Sequence, residues 1–187
     1  MKKSIISMGV IVVFLLLGVV FEILPSPIDK NTNENKPFTQ AQLEDFKNTT
    51  TYTVKRVIDG DTIELSIDDT TLTVRLIGIN TPETKDPRKN VECYGKEASA
   101  KMKKIIEGKK VYFNFDESQA QYDKYGRSLL YIWRAEDNLF INEYLIQEGF
   151  ANEYTYSVPY LYQKQFKEAE LKAKKEGRGL WGDICNI

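Results

Sequence analysis

Three alternating, β-branched runs separated by short polar turns restrict the fold of this chain more than any other feature. Tyr52-Thr-Val-Lys-Arg-Val-Ile58 and Thr62-Ile-Glu-Leu-Ser-Ile67 read as strands, because Val, Ile, Thr and Tyr suit a pleated, half-buried surface. Asp59-Gly60 between them is a hairpin signal, and Asp68-Asp69 makes the next turn. In a third run Leu72, Val74 and Leu76 alternate with Thr73, Arg75 and Ile77. Successive side chains on a strand face opposite ways, so Arg75 lies on the face away from the Leu/Val row. The runs predict an up-down-up meander.

The rest of the chain supplies a shell for that meander. Thr81 to Glu92 is a polar, Pro-containing loop. Tyr94 to Glu107 is helical, with Ala98, Met102, Ile105 and Ile106 on one side and Gly108 as a stop. Lys110 to Phe115 and Arg127 to Trp133 are two further strands, joined by a loop from Asp116 to Gly126. Asn138 is the expected cap of a helix over Phe140 to Glu148, closed by Gly149. Pro159 is expected to open a last helix reaching about Glu176, with Tyr162, Phe166, Ala169 and Ala173 on one face. Five short strands with a helix after the third predict an α+β fold: a five-stranded OB-type β-barrel with three packed α-helices.

The domain is expected to span 50–187. Residues 1–24 begin Met1-Lys-Lys and continue from Ile5 to Phe21 almost entirely in Ile, Val, Leu, Phe and Gly. This reads as a signal peptide or a membrane anchor, close to the roughly 20 apolar residues that span a bilayer. Glu22-Ile-Leu-Pro-Ser-Pro27 is a poor cleavage context, and the segment has no Cys for lipidation. Lys2 and Lys3 would stay in the cytoplasm, placing the chain beyond Leu24 outside, on the membrane surface or secreted. Residues 25–49, rich in Pro, Asn, Thr, Lys and Glu, read as a flexible linker. The two cysteines, Cys93 and Cys185, form an even pair in an exported chain, which favours a disulfide over two unrelated thiols.

The chain has no histidine, with 26 basic and 27 acidic residues. Ser-His-Asp and Cys-His mechanisms are therefore excluded, as is histidine-ligated zinc. Near-neutral net charge means that any grip on phosphates comes from a local patch. The Lys101-Met-Lys-Lys104 and Lys172-Ala-Lys-Lys175 clusters read as exposed helix faces.

Chemistry concentrates elsewhere. Asp59-Gly-Asp61 alone is a turn, and Asn80-Thr-Pro-Glu83 alone is a cap or turn. Together they are stronger, because the start of the second strand and the end of the third lie side by side in a meander. Asp61 and the Asn80 side-chain oxygen are then candidate ligands of one hard cation, with a backbone carbonyl and waters completing the shell, as suits Ca²⁺. Glu83 lies just beyond, where it could orient a water. Arg75 and Arg127 could face a phosphate, with bidentate contacts that lysine does not match.

Val57-Ile-Asp-Gly-Asp-Thr62, Arg75-Leu-Ile-Gly-Ile-Asn-Thr-Pro-Glu83, Tyr94-Gly-Lys-Glu-Ala-Ser99, Asp123-Lys-Tyr-Gly-Arg127, Asn142-Glu143 and Gly179-Leu-Trp181 occur in this order. Over about Tyr52 to Trp181 they resemble the staphylococcal (micrococcal) nuclease family. The resemblance implies a Ca²⁺-dependent endonuclease on an OB-fold. It would cut DNA and RNA, in single-stranded or frayed stretches, to products ending in 3′-phosphates. It also implies roles: Asp61 as the main metal carboxylate with Asp59 in support, the Thr81 carbonyl as a metal ligand, and Glu83 as general base. Arg75 and Arg127 would bind phosphate, with Lys124 and Tyr125 near a nucleotide's terminal phosphate. Tyr154 and Tyr156 are candidates for the family's Tyr-x-Tyr that packs on the nucleotide. One departure is Asn80, where the family usually has Asp; the site loses one ligand charge. An alternative reading is therefore a catalytically impaired OB-fold module that binds nucleic acid at the cell surface. Nothing in the sequence calls for an obligate protein partner.

Overall fold

The computed structural model describes residues 50–84 and 90–185. The expected leader or anchor and the linker lie outside the described residues.

The three runs form β1 (Tyr52–Asp59), β2 (Thr62–Ile67) and β3 (Thr70–Leu76), paired antiparallel in sequence order. At the second turn Asp68 takes a left-handed backbone (φ 48°), a conformation that Asp tolerates better than most residues. The chain continues through β4 (Ile79–Asn80), α1 (Gly95–Ile106), β5 (Lys110–Asn114), β6 (Ser128–Arg134), β7 (Leu139–Phe140), α2 (Ile141–Gln147), β8 (Asn152–Glu153) and α3 (Gln163–Lys175). The sheet order is β3-β2-β1-β5-β6-β7. Parallel pairing of β3 with β6, Val74 to Ser128 through Leu76 to Leu130, closes the first five of these strands into a barrel. Closure removes the open edges of the sheet. The fold is the α+β OB barrel with three helices.

Alternation dictates the core. Val54, Ile63, Leu65, Val74, Leu130 and Ile132 are fully buried inside the barrel, and α1 adds Ala98, Met102, Ile105 and Ile106 from one stripe. An aromatic cluster of Tyr131, Trp133, Phe140, Tyr162 and Phe166 fastens α3 to β6. Asn142 is wholly buried yet satisfied: it accepts from Ile132 N–H at 2.9 Å and donates to the Ile77 carbonyl at 2.9 Å.

Two helix starts differ from expectation. Asn138 does not cap α2. It occupies a left-handed turn between β6 and β7 (φ 55°), and its Oδ1 accepts from the Tyr112 hydroxyl, while Phe140 stands at the helix start. Pro159 does not open α3, which begins at Gln163. Its carbonyl accepts from Ser118 Oγ and Gln119 Nε2, and Leu161 N–H is held by Asp116 Oδ2 at 2.7 Å. The backbone there is committed to the 116–119 loop, so the helix starts later.

Two glycines allow the chain to converge beside the barrel. A Cβ on Gly60, in the β1–β2 turn, would lie 2.8 Å from the Thr81 side chain. Gly78 has φ +76°, and a Cβ there would lie 2.6 Å from the Tyr160 ring. Both turns therefore press close to neighbours that a larger residue would displace.

Candidate active site

The β1–β2 turn, the end of β3 and the segment after β4 meet at one end of the barrel. Asp59, Asp61, Thr62 and Thr81 are buried there. Asp61 Oδ2 accepts from Thr81 N–H at 3.0 Å and Thr81 Oγ1 at 3.1 Å, while Oδ1 accepts from Thr62 Oγ1 at 2.9 Å. The Arg75 guanidinium reaches the same carboxylate at 3.0 Å, with both side chains largely buried (13% and 10% exposed). It also donates to the Leu76 carbonyl at 2.7 Å, the Ile79 carbonyl at 2.9 Å and Asn80 Oδ1 at 3.2 Å. One arginine thus bridges the Asp61 and Asn80 oxygens.

Arg127 arrives from the other side. The parallel β3–β6 ladder sets Arg75 opposite Leu129, so Arg127, two residues before Leu129, lies at the same end. Its Nη1 points to Thr62 Oγ1 at 3.4 Å, and its Nε and Nη2 are tied to the Asp123 carboxylate. Thr62 therefore links both arginines through Asp61. The sequence offered no signal for that link beyond Thr62 following Asp61.

Negative charge also collects here. Burial pushes the Asp59 carboxyl above its usual range, as do the charges of Asp61 and Glu83. Hydrogen bonds from Thr84 Oγ1 (2.7 Å) and Gly60 N–H (2.9 Å) act the other way. Among the described residues, no group of three or more His, Cys, Asp or Glu is arranged to hold a metal. The residues that could hold a metal there would offer oxygen only: the Asp61 carboxylate and the Asn80 amide oxygen, both of which accept from Arg75, and the Thr81 carbonyl, with the Asp59 carboxylate in support. Two buried carboxylates and all-oxygen donors are the chemistry that suits a hard cation keeping waters in its shell.

Glu83 lies on the segment after β4. Its N–H donates to Glu92 Oε2 at 2.9 Å and its carbonyl accepts from Glu92 N–H at 3.0 Å. Glu92 was not a sequence candidate, since nothing local marks a residue nine positions away as a partner. Lys124 and Tyr125 are exposed at the tip of the 116–126 loop, with Lys124 Nζ 5.0 Å and the Arg127 guanidinium 5.3 Å from the Tyr125 ring. Tyr154 and Tyr156 are exposed, their rings 6.4 Å apart. They come after β8, whose Asn152 pairs with Asn80. The antiparallel register runs on to Tyr154, whose N–H donates to the Gly78 carbonyl at 3.0 Å, so Tyr154 lies beside the Gly78 end of β4 and away from Asn80. Cys93 and Cys185 are joined in a disulfide.

Comparison with known proteins agrees with this geometry. Residues 73–183 match the family model described as staphylococcal nuclease homologue. The chain is 39% identical to a thermonuclease of Staphylococcus hyicus over 80% of this chain and 86% of that protein. It is 39% identical to a thermonuclease of Staphylococcus intermedius over 70% of this chain and 75% of that protein. It is 38% identical to the SPbeta prophage-derived endonuclease YokF of Bacillus subtilis over 69% of this chain, and it spans 43% of that longer protein. With the closed barrel and the convergent arginines already in place, these matches show that the chain belongs to the staphylococcal nuclease family.

Proposed function

We propose that this protein is a nuclease that hydrolyses phosphodiester bonds of DNA and RNA in a Ca²⁺-dependent reaction and leaves 3′-phosphate ends. The observation that carries this reading is the meeting of Arg75 and Arg127 at the Asp61–Thr62 turn. Arg75 paired to the buried Asp61 carboxylate and Arg127 reaching the adjacent Thr62 hydroxyl can together present donors to two oxygens of a phosphate. They are held in place before substrate arrives, so they need little reorganisation as charge grows on the phosphoryl oxygens.

Glu83 is the base in this proposal. It orients a water and takes its proton as the water oxygen bonds to phosphorus and the bond to the 5′ oxygen breaks. The leaving 5′ oxygen takes up a proton, and the phosphate stays on the 3′ side. Asp61, Asn80 and the Thr81 carbonyl would hold a calcium ion, with Asp59 behind them, and the ion supplies positive charge beside the phosphoryl oxygens. Lys124 and Tyr125 would meet a terminal phosphate, and Tyr154 and Tyr156 would stack on the nucleotide. Stacking and phosphate contacts read no base edges, so low sequence preference is expected, with single-stranded or frayed stretches favoured.

The same reading puts the 50–187 domain outside the cytoplasmic membrane, secreted or tethered there by residues 1–24 through the 25–49 linker. The Cys93–Cys185 disulfide supports that location, because such bonds persist in oxidising surroundings. The test is a DNA-containing gel developed with Ca²⁺ or with EDTA. Clearing with Ca²⁺ and none with EDTA is expected. Equal clearing in both would refute metal dependence. Binding of DNA without clearing in either would turn the assignment to a nucleic-acid-binding module.

A further inference from the structure

A general base works only when held within a fraction of an ångström of its productive position. Glu83 lies beyond the end of β4, outside the strand ladder. Its backbone is fastened by Glu92, which receives the Glu83 N–H on its carboxylate and returns its own N–H to the Glu83 carbonyl. This pair is exposed to water, and an exposed hydrogen bond competes with solvent, so by itself it holds weakly.

Three features restrain Glu92 from the other side. The next residue, Cys93, is bonded to Cys185, 92 positions away near the end of the chain. Tyr94 adopts a left-handed backbone (φ 68°), uncommon for a bulky residue, and its ring stacks 5.5 Å from Phe150. Gly95 then opens α1 directly against the catalytic segment. A Cβ on Gly95 would lie 2.7 Å from Thr84 Cγ2 and 3.0 Å from the Pro82 carbonyl. The Glu92–Gly95 turn is thus pinned by a covalent link, a ring stack and a close backbone approach, and it grips Glu83 from behind.

We propose that Glu92 is a positioning residue for the Glu83 base, and that the Cys93–Cys185 bond serves turnover by holding Glu92 against the Glu83 backbone. This rests on the nuclease reading above. The proposal asks the bond to set the placement of a catalytic segment, beyond its general effect on the stability of the fold.

The test compares full-length wild type, Glu92→Ala, Glu92→Gln and the double variant Cys93→Ser/Cys185→Ser, each shown folded by circular dichroism. DNA cleavage is followed at 25 °C with saturating Ca²⁺, and exchange of the Glu83 amide hydrogen is measured in parallel. Glu92→Ala should lower kcat by on the order of 10- to 10²-fold, and the double Ser variant by about 10-fold, since small misplacements of a base cost that much. KM should change by no more than about twofold, because the phosphate and nucleotide contacts are untouched. Glu83 amide exchange should speed up by about 10-fold in both. Glu92→Gln keeps an acceptor oxygen for the Glu83 N–H and should recover most of the turnover that Ala loses.

A merely structural role predicts a lower melting temperature with normal kcat in the folded protein. Wild-type kcat in either Glu92→Ala or the double Ser variant, or a Glu92→Gln variant as slow as Glu92→Ala, would overturn the proposal. A wild-type protein that cuts nothing would refute the nuclease reading and this proposal with it. Active wild type with unaffected variants would refute this proposal alone.

Discussion

Arg75→Ala separates an arginine built into the site from one lying on a solvated sheet face. Arg75 serves four acceptors: Asp61, the Leu76 and Ile79 carbonyls, and Asn80 Oδ1. The ion pair is largely removed from water. Breaking a buried pair by removing one partner costs about 3–5 kcal/mol when the remaining charge is uncompensated. Asp61 would keep three donors, from Thr81 N–H, Thr81 Oγ1 and Thr62 Oγ1, so its share should fall below that range. The two carbonyls lose their guanidinium donor, adding roughly 1 kcal/mol or more. A total loss of about 3 kcal/mol in urea unfolding at pH 7 is expected. On the folded fraction, kcat should fall by roughly 10²-fold, as when one preorganised donor to the developing charge is removed. If the pair is real, Asp61→Asn should cost less in the Arg75→Ala background than in wild type, by about 0.5–3 kcal/mol. A loss of stability under about 1 kcal/mol with unchanged turnover would show that Arg75 is an ordinary surface arginine and that the catalytic reading is wrong. A full stability loss with unchanged kcat at saturating substrate would leave Arg75 structural and remove it from the chemistry.

Two other outcomes bear on the metal and on the support of the site. Asn80→Asp restores a carboxylate beside Asp61, so half-maximal activity should need less Ca²⁺; a titration showing unchanged or weaker dependence would place Asn80 outside the metal's ligands. Burial pushes the Asp116 carboxyl up, but bonds from Leu161 N–H, Ser118 and the Tyr131 hydroxyl outweigh it and leave it below the usual carboxylate value. A depressed folded-state value stabilises the protein above the unfolded value near about 3.9, and that contribution disappears as pH falls through the folded-state value. Asp116→Asn should therefore cost about 1–3 kcal/mol at pH 7, with the gap to wild type closing below about pH 4; a gap independent of pH from about 7 to 3 would refute this account.

The barrel was readable from residues 52 to 77 because β periodicity and turn chemistry are local. Alternation assigned Leu72, Val74 and Leu76 to the core and set Arg75 on the other face, and the pairing matches that register. The family was readable for a related reason: its motifs are contiguous stretches whose order survives without knowledge of the fold. Helix starts were less legible. Asn138 has the chemistry of a cap, but the β6–β7 turn needs a left-handed residue there, and Asn meets that need as well. Pro159 has the chemistry of a first helical residue, but Asp116, Ser118 and Gln119 hold its surroundings from far back in the chain.

The amino-acid order alone thus determined the strands, the hairpins, the class of fold and the chemical types near the site, since each depends on neighbours within a few residues. Tertiary structure decided which of those groups touch. Only barrel closure puts Arg127 beside Thr62, only the turn at Gly78 brings Asn80 back to Arg75, and only the packing of α1 on the 82–84 segment lets Glu92 hold Glu83. Such contacts depend on long-range closure, whose geometry is set by the whole barrel and leaves no periodic or local mark in the sequence.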